Sequence, residues 1–304
     1  MGKLTKEYLI MIIKDLYNKA LESSWTLGFI KNSSEDIILK KDISVRWINS
    51  DYKDRWWADP FILDVNEKEI VLLVEEYKYS KNRGTIAELI LDKNSLQVIS
   101  DKEILVLDTH LSFPAIKRIG DKIFIYPENN HSGYLKMYEY DKTNHQLING
   151  KIICNERLTD AIWTIIDGED YILSTKEPLP NGNVLGVYKK KDNLFIHSYD
   201  IEFNEKIARN AGDIFEVDGH LFRPAQECND GYGHSISIQE IITEHRHIQF
   251  KEINRLYSTH KNYNRGMHTL NEYKGFIVVD AKGYRYPYWG RFVNKLRIFV
   301  KRLF

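Results

Sequence analysis

Cysteine is scarce: Cys154 and Cys228 are the only two in 304 residues. One bridge at most could form, which excludes a disulfide-stapled scaffold and suits a reducing compartment. Long apolar runs are missing too. The best one, Tyr8 to Ile13, stops at Lys14, far short of the roughly 20 residues that cross a bilayer. The N-terminus lacks the basic, apolar and small-residue order of a secretory signal, and position 6 is Lys rather than the Ser or Thr of a myristoylation site. These gaps predict a cytoplasmic protein. Walker A, G-x-G-x-x-G, G-x-S-x-G, HExxH and paired-cysteine signatures are all missing, which removes a nucleotide-binding domain, a nucleophile elbow and a structural zinc. No cofactor is expected; the one opening for an ion is a channel-bound cation near His268.

With 43% apolar and 28% charged residues the composition is that of an ordinary globular protein. Net charge is zero, 43 basic against 43 acidic, but unevenly placed. Past Asp280 stand Lys282, Arg285, Arg291, Lys295, Arg297, Lys301 and Arg302 with no acidic residue, so a body at −7 carries a tail at +7. The acidic body argues against nucleic acid, which needs a basic stripe facing the phosphates.

Five segments repeat one pattern of small or acidic start, apolar strand, turn, second apolar run and, in most, a closing carboxylate. They begin at Asp59-Pro60, Phe113-Pro114, Asp160-Ala161, Ala211-Gly212 and Met267-His268. Pro60, Pro114, Ala161, Gly212 and His268 are separated by 54, 47, 51 and 56 residues. Alternation in Lys122-Ile-Phe-Ile-Tyr and Ser235-Ile-Ser-Ile has strand period, and turn pairs such as Asp167-Gly168, Asp218-Gly219, Asn181-Gly182 and Lys274-Gly275 punctuate it. Four strands in about fifty residues is the content of a propeller blade. The expected fold is all-β, a five-bladed β-propeller over residues 50–285, with a sandwich or stacked sheets as the competing reading. Residues 1–30 hold an amphipathic helix and lead-in, with Leu9, Ile12, Ile13, Leu16, Tyr17 and Ala20 on one stripe; its default role is to cover part of the propeller. Residues 286–304 form a basic amphipathic tail, with Trp289, Phe292, Val293, Leu296, Phe299, Val300 and Leu303 opposite Arg291, Lys295 and Arg302. This is the composition of a helix lying in the interface of an anionic membrane; docking on the propeller or a second subunit is the alternative.

In a propeller the innermost strands all start around one end of the channel, so chemistry there draws on every blade. The repeat places Asp59, His110, Ser112, Asp160, Arg209 and His268 at that end, with Glu76, Glu128, Arg223, Gln226 and Glu227 from the strand ends. Trp57 beside Asp59 offers the aromatic surface and carboxylate that suit a sugar; otherwise Asp59 accepts a backbone N–H at a strand entrance. Glu227 is the candidate general acid, with pairing to Arg223 as the bland reading and Glu128, after Tyr126-Pro127, as the rival acid. Alternation puts Arg223 and Glu227 on one face and Gln226 on the other. Arg209 and Arg223 would take a phosphate or sugar carboxylate, or pair with Asp59 and Asp160. His110 and His268 would bond hydroxyls or hold an ion.

The W-A-D-P strand, the second Asp opening the third unit and the Glu closing a fourth-unit strand resemble five-bladed propeller glycosidases of families 43, 32 and 68. That resemblance implies Asp59 as base or nucleophile, Asp160 as the residue that tunes and orients, and Glu227 as acid. A wider likeness covers about residues 50–285. Trp57-Ala-Asp-Pro-Phe, His110-Leu-Ser-Phe-Pro, Pro127-Glu-Asn, Asp160-Ala-Ile-Trp, Arg209-Asn-Ala-Gly, Arg223-Pro-Ala-Gln and Gly266-Met-His-Thr-Leu resemble the N-terminal domain of plant glucosamine inositolphosphorylceramide transferases, with bacterial relatives in surface-polysaccharide settings. In the plant proteins a glycosyltransferase domain follows, for which these 304 residues leave no room. Two functions follow from the resemblance. One is a carbohydrate-active enzyme that cleaves or transfers a glycosyl unit of a phosphorylated or lipid-linked sugar. The other is a glycan-binding propeller that recruits a partner glycosyltransferase to the inner face of the membrane.

Overall fold

The structure, a computed structural model, describes residues 6–49, 52–244 and 247–303. The side chains of Leu9, Val300, Lys301, Arg302 and Leu303, which the helical stripes and basic tail include, lie outside the described residues. The chain forms five four-stranded antiparallel sheets, the blades of the expected propeller. Blade I runs through Arg55–Val65, Glu69–Lys78, Arg83–Asp92 and Val98–Leu105; blade II through Ser112–Ile119, Lys122–Glu128, Leu135–Asp141 and Gln146–Cys154. Blade III holds Leu158–Ile166, Glu169–Lys176, Val184–Lys191 and Leu194–Glu202; blade IV holds Phe215–Val217, His220–Glu227, Ser235–Glu244 and His247–Leu256.

Blade V corrects the expected boundaries. Its first two strands, Leu270–Tyr273 and Phe276–Tyr284, come from the fifth repeat, and its outer two, Ser23–Ile30 and Val45–Trp47, from the N-terminal segment. Boundaries at 30 and 50 therefore cut through one sheet. A Cβ at Gly28 would lie 2.6 Å from the Trp47 ring and 2.7 Å from Val45, so the glycine lets the outermost strand fold over its neighbour.

Apolar side chains of adjoining blades fill the spaces between them, and burying this surface is the main source of stability. Phe61 and Leu73 of blade I meet Phe113 and Ile125 of blade II, which meet Ile162 and Trp163 of blade III. Leu27 and Val278 of blade V pack with Trp57 and Leu72 of blade I. Hairpins turn at Asp167-Gly168, Asp218-Gly219 and Lys274-Gly275, where both residues have positive φ, as a type I′ turn requires.

The innermost strands of blades I to III share an irregularity. Asp59, Phe113 and Asp160 have φ of 50, 46 and 47°, and pairing slips between Ala58 and Phe61, Ser112 and Ala115, and Thr159 and Ile162. A left-handed non-glycine residue costs on the order of 1 kcal/mol. Here a carboxylate captures each freed amide: the N–H of Asp59 donates to Asp280 (3.1 Å), that of Phe113 to Asp59 (3.0 Å) and that of Asp160 to Glu128 (2.9 Å). The bulges thus aim carboxylates at the channel end.

Besides the short helix α2 (Ser34–Ile38), two longer helices flank the ring, α1 (Lys6–Leu21) and α3 (Pro287–Leu303). They pack on each other, and a Cβ at Gly290 would come within 2.6 Å of the Ala20 carbonyl. The Ala20 end of the α1 stripe therefore meets α3, where a cover for the propeller was expected, while Ile13, Leu16 and Tyr17 stay exposed.

Candidate functional site at the channel mouth

Asp59, His268 and Asp280 form one buried network. His268 Nδ1 lies 2.7 Å from Asp280 and its Nε2 lies 3.5 Å from Asp59, whose other contacts are the Thr269 hydroxyl (2.9 Å) and the Phe113 amide. Burial drives the Asp59 carboxyl up to about 7; His268 opposes the shift while Glu75, Asp160 and Asp280 add to it. Burial alone would depress His268, but Asp280 and Asp59 outweigh it and hold the imidazole above its ordinary value. Trp25 stacks on the His268 ring at 3.9 Å. Asp59, His268 and Asp280 offer donor atoms within 4.8 Å of one another, the one place among the described residues where three such groups meet. Every one of those carboxylate oxygens already faces a protein donor, Asp280 accepting the His268, Thr269 and Asp59 amides, so a cation would have to displace bonds that hold the bulges. The donor set thus fits a closed hydrogen-bond network better than an ion.

A second network centres on Asp160. One of its oxygens accepts from Arg209 Nε (2.6 Å) and Gln226 Nε2 (2.7 Å); the other is buried without a partner. Arg209 also reaches Asn181 at 2.7 Å and lies 3.8 Å from Glu128. Glu128 is pushed well above the ordinary carboxylate range, first by burial and then by the neighbouring charge of Asp160, with Arg209 opposing. Ser112 sits opposite Glu128 in the blade II register.

Glu227 does not join either network. The alternation expected for its strand holds: Gln226 faces Asp160, and Glu227 points to the other side. There it accepts from the Asn229 amide (2.6 Å), His234 (2.8 Å) and the Ser235 hydroxyl (3.0 Å). Burial pushes its carboxyl up, but these three donors outweigh it and hold it below its ordinary value. Of the two candidate acids, Glu128 has the environment of a proton donor. Arg223 departs from its expected role as well. It is fully buried, bonded to Asn210, Gln239 and the Ala208 carbonyl, and stacked over Phe250 at 4.9 Å. Burial pulls the guanidinium down to about 9. It fastens blade IV to the segment entering it, with no oxyanion or Glu227 contact.

Beside Asp59 the mouth opens into a pocket of about 310 Å³ walled by Trp25, Trp56, Tyr77, Tyr79 and Tyr232, with Glu75, His110 and His268 among its polar groups. Trp56 and Tyr77 stack face to face at 4.7 Å. His110 Nε2 is 3.3 Å from Glu75, and its Nδ1 accepts the Gly84 amide at 2.9 Å. Two expected site residues are one position off. Trp57 packs in the core between blades V and I. Glu76 faces Arg55 and Lys78, each at 2.8 Å, on the side away from the mouth. Their neighbours Trp56 and Glu75 take the places expected of them. The bulge at Asp59 resets the side-chain parity, so Asp59 shares a face with Trp56 rather than Trp57. Tyr232 and Lys282 were missed outright. Lys282 lies 4.9 Å above the Tyr232 ring and 5.5 Å above Trp25, and burial lowers its amine to about 8.

Comparison with known proteins locates this arrangement. Residues 43–277 match the family described as glucosamine inositolphosphorylceramide transferase 1, N-terminal. The chain belongs to this family. Glucosamine inositolphosphorylceramide transferase 1 of Oryza sativa is 25% identical over 206 residues, and that of Arabidopsis thaliana 27% over 210, covering 62% and 64% of this chain. The matched stretch is about a quarter of each relative, 27% and 26% of its length. Among solved structures, an exo-β-1,3-galactanase of Phanerochaete chrysosporium superposes with a TM-score of 0.54 at 8% identity, covering 69% of this chain and 54% of that one. The RS223 β-xylosidase superposes at 0.53 with 10% identity, covering 76% and 93%. This transferase-family domain and those glycosidases share the propeller.

Proposed function

We propose that the channel mouth binds a carbohydrate, and that this recognition is the domain's principal function. The observation that carries the reading is the mouth pocket itself. The aromatic pair Trp56 and Tyr77 offers a flat surface for the C–H face of a sugar ring, and Glu75 and His110 beside it accept from and donate to hydroxyls. A volume of about 310 Å³ suits one or two sugar units. The relatives' name as glucosamine inositolphosphorylceramide transferases supports a glycan or glycolipid headgroup, and in this reading the transfer itself is done by a partner glycosyltransferase. Work at the cytoplasmic face of a membrane, where sugars are assembled on phosphate or lipid carriers, belongs to this reading.

One observation favours a second reading, catalysis by the propeller alone. Burial and the charge of Asp160 hold the Glu128 carboxyl well above the ordinary carboxylate range and Asp59 is pushed up to about 7, and glycosyl cleavage or transfer needs one carboxylic acid and one carboxylate. In that scheme Glu128 gives its proton to the leaving oxygen and Asp59 takes one from the attacking hydroxyl, with Asp160 orienting both.

Calorimetric titration with phosphorylated sugars, lipid-linked sugars and furanoside oligosaccharides tests the first reading; Glu75→Gln is expected to weaken binding about tenfold, and binding unaffected by Glu75→Gln and Trp56→Ala would refute it. Mass-spectrometric product analysis of wild type, Glu128→Gln and Asp59→Asn with nucleotide sugars tests the second. A wild-type product lost in both variants would establish the enzyme; ligand binding without product would leave recognition alone.

A further inference from the structure

An apolar groove of about 660 Å³ belongs to no part of the mouth. It runs between α1 and α3, walled by Ile13, Leu16 and Tyr17 on one side and Trp289, Phe292 and Leu296 on the other. These walls are wet: Ile13 is 57% exposed, Leu16 54%, Phe292 54% and Phe299, just beyond, 61%. So much adjoining apolar surface is uncommon on a soluble monomer and marks a docking face.

We propose that α1 and α3 together form a platform that lies on an anionic bilayer and holds the mouth pocket at its surface. Charge selects the occupant. On α3 Arg291, Lys295, Arg297, Lys301 and Arg302 stand with no acidic residue among them, and Lys14 adds to them beside the α1 stripe, Lys19 being paired with Asp15 at 2.9 Å. A like-charged second copy of this face would be repelled, whereas anionic headgroups would contribute on the order of 1 kcal/mol per cation. Aromatic and aliphatic side chains beside cations are what an interfacial helix presents. No helix among the described residues is long and apolar enough to cross a membrane, so the pair lies on the surface.

The platform is joined to the mouth. Arg285, just before α3, pairs with Glu22, just after α1, at 2.8 Å and stacks on Tyr79 at 3.6 Å; Glu22 and Tyr79 both wall the mouth pocket. Tyr17 in the groove precedes Glu22 by five residues, about 8 Å at the helical rise of 1.5 Å. A bilayer under the helices therefore sits within one sugar length or two of the pocket. The contribution of α1 is the part that the basic tail alone does not suggest.

Co-sedimentation with phosphatidylcholine vesicles, with and without phosphatidylglycerol, tests this. Wild type is expected to bind the phosphatidylglycerol vesicles and to release them as salt rises. Ile13→Asp with Leu16→Asp on α1, and separately Lys295→Glu with Arg297→Glu on α3, should each weaken binding about tenfold or more. All four side chains are exposed, so circular dichroism and melting should stay at wild type and exclude misfolding as the cause. Trp56→Ala should bind vesicles as wild type does, which separates this proposal from the sugar reading. Absence of vesicle binding by wild type overturns the proposal. So does α1-variant binding equal to wild type, or a solution dimer that Phe292→Asp dissolves without any lipid effect.

Discussion

Trp56 and Trp57 adjoin in the chain but serve opposite faces of one strand, and their substitutions should part accordingly. Trp56→Ala is expected to weaken sugar binding about tenfold with little change in melting, whereas Trp57→Ala, from the core, should cost about 3–5 kcal/mol of stability. Chemical denaturation and calorimetric titration on the same two variants read both effects. Glu227→Gln should likewise lower stability by about 1–3 kcal/mol, by weakening a carboxylate that three donors serve, and leave ligand titration unchanged. Asp59 supplies a pH signature. With its folded value at about 7 against 3.8 unfolded, the native state holds a proton across that window that the unfolded chain has released, so this group's contribution falls as pH rises through it. Asp59→Asn removes the burden: the melting temperature of the variant relative to wild type should climb from pH 5 to about pH 7.5 and then level off. A flat difference would mean the carboxyl is already ionised at pH 5. The repeat made Asp59, Asp160, Glu128, His110, Arg209, Gln226 and His268 legible, because one residue per blade converges on the channel whatever the local detail. Trp56 and Glu75 were hidden because an alternation count assumes an unbroken pleat, and nothing in the letters W-W-A-D-P declares that Asp59 is left-handed.

At the level of single elements, spacing carries most of the information. Fifty-residue periodicity and the Asp-Gly pairs specify hairpins, and hairpins of this length specify blades. A strand that borrows its partner from the far end of the chain leaves no such local mark, which is why Ser23–Ile30 read as lead-in. Close approach is equally silent until the backbone is seen. Gly84 opens the third strand of blade I where a Cβ would lie 2.3 Å from the Leu111 carbonyl and 2.6 Å from Glu75. Gly84→Ala is therefore expected to destabilise the protein by about 1–3 kcal/mol and to displace the Glu75–His110 pair, weakening sugar binding along with stability. Unchanged ligand titration in Gly84→Ala would show that the pair tolerates the shift.

Across the whole molecule, the ring is closed by eight register pairs running from Ser23 with Tyr284 to Ile30 with Ile277. A chain beginning at Glu22 keeps that clasp and should give a strand-rich circular dichroism spectrum with a cooperative melt. One beginning at Lys31 loses it, exposes the edge of Phe276–Tyr284, and is expected to aggregate or melt without cooperativity. The clasp also orders events in time. Ser23–Ile30 leaves the ribosome about 250 residues before its partner, so at typical synthesis rates it waits on the order of ten seconds or more for an edge to pair with. Blades I to IV can collapse one after another meanwhile, each from local hairpins. Only the last step brings the two ends of the chain together, and with them α1 and α3. The paired helices thus mark a finished ring: an unclosed chain would present two separate amphipathic segments and no joined platform, so under the proposed membrane role only completed propellers would be held at a bilayer.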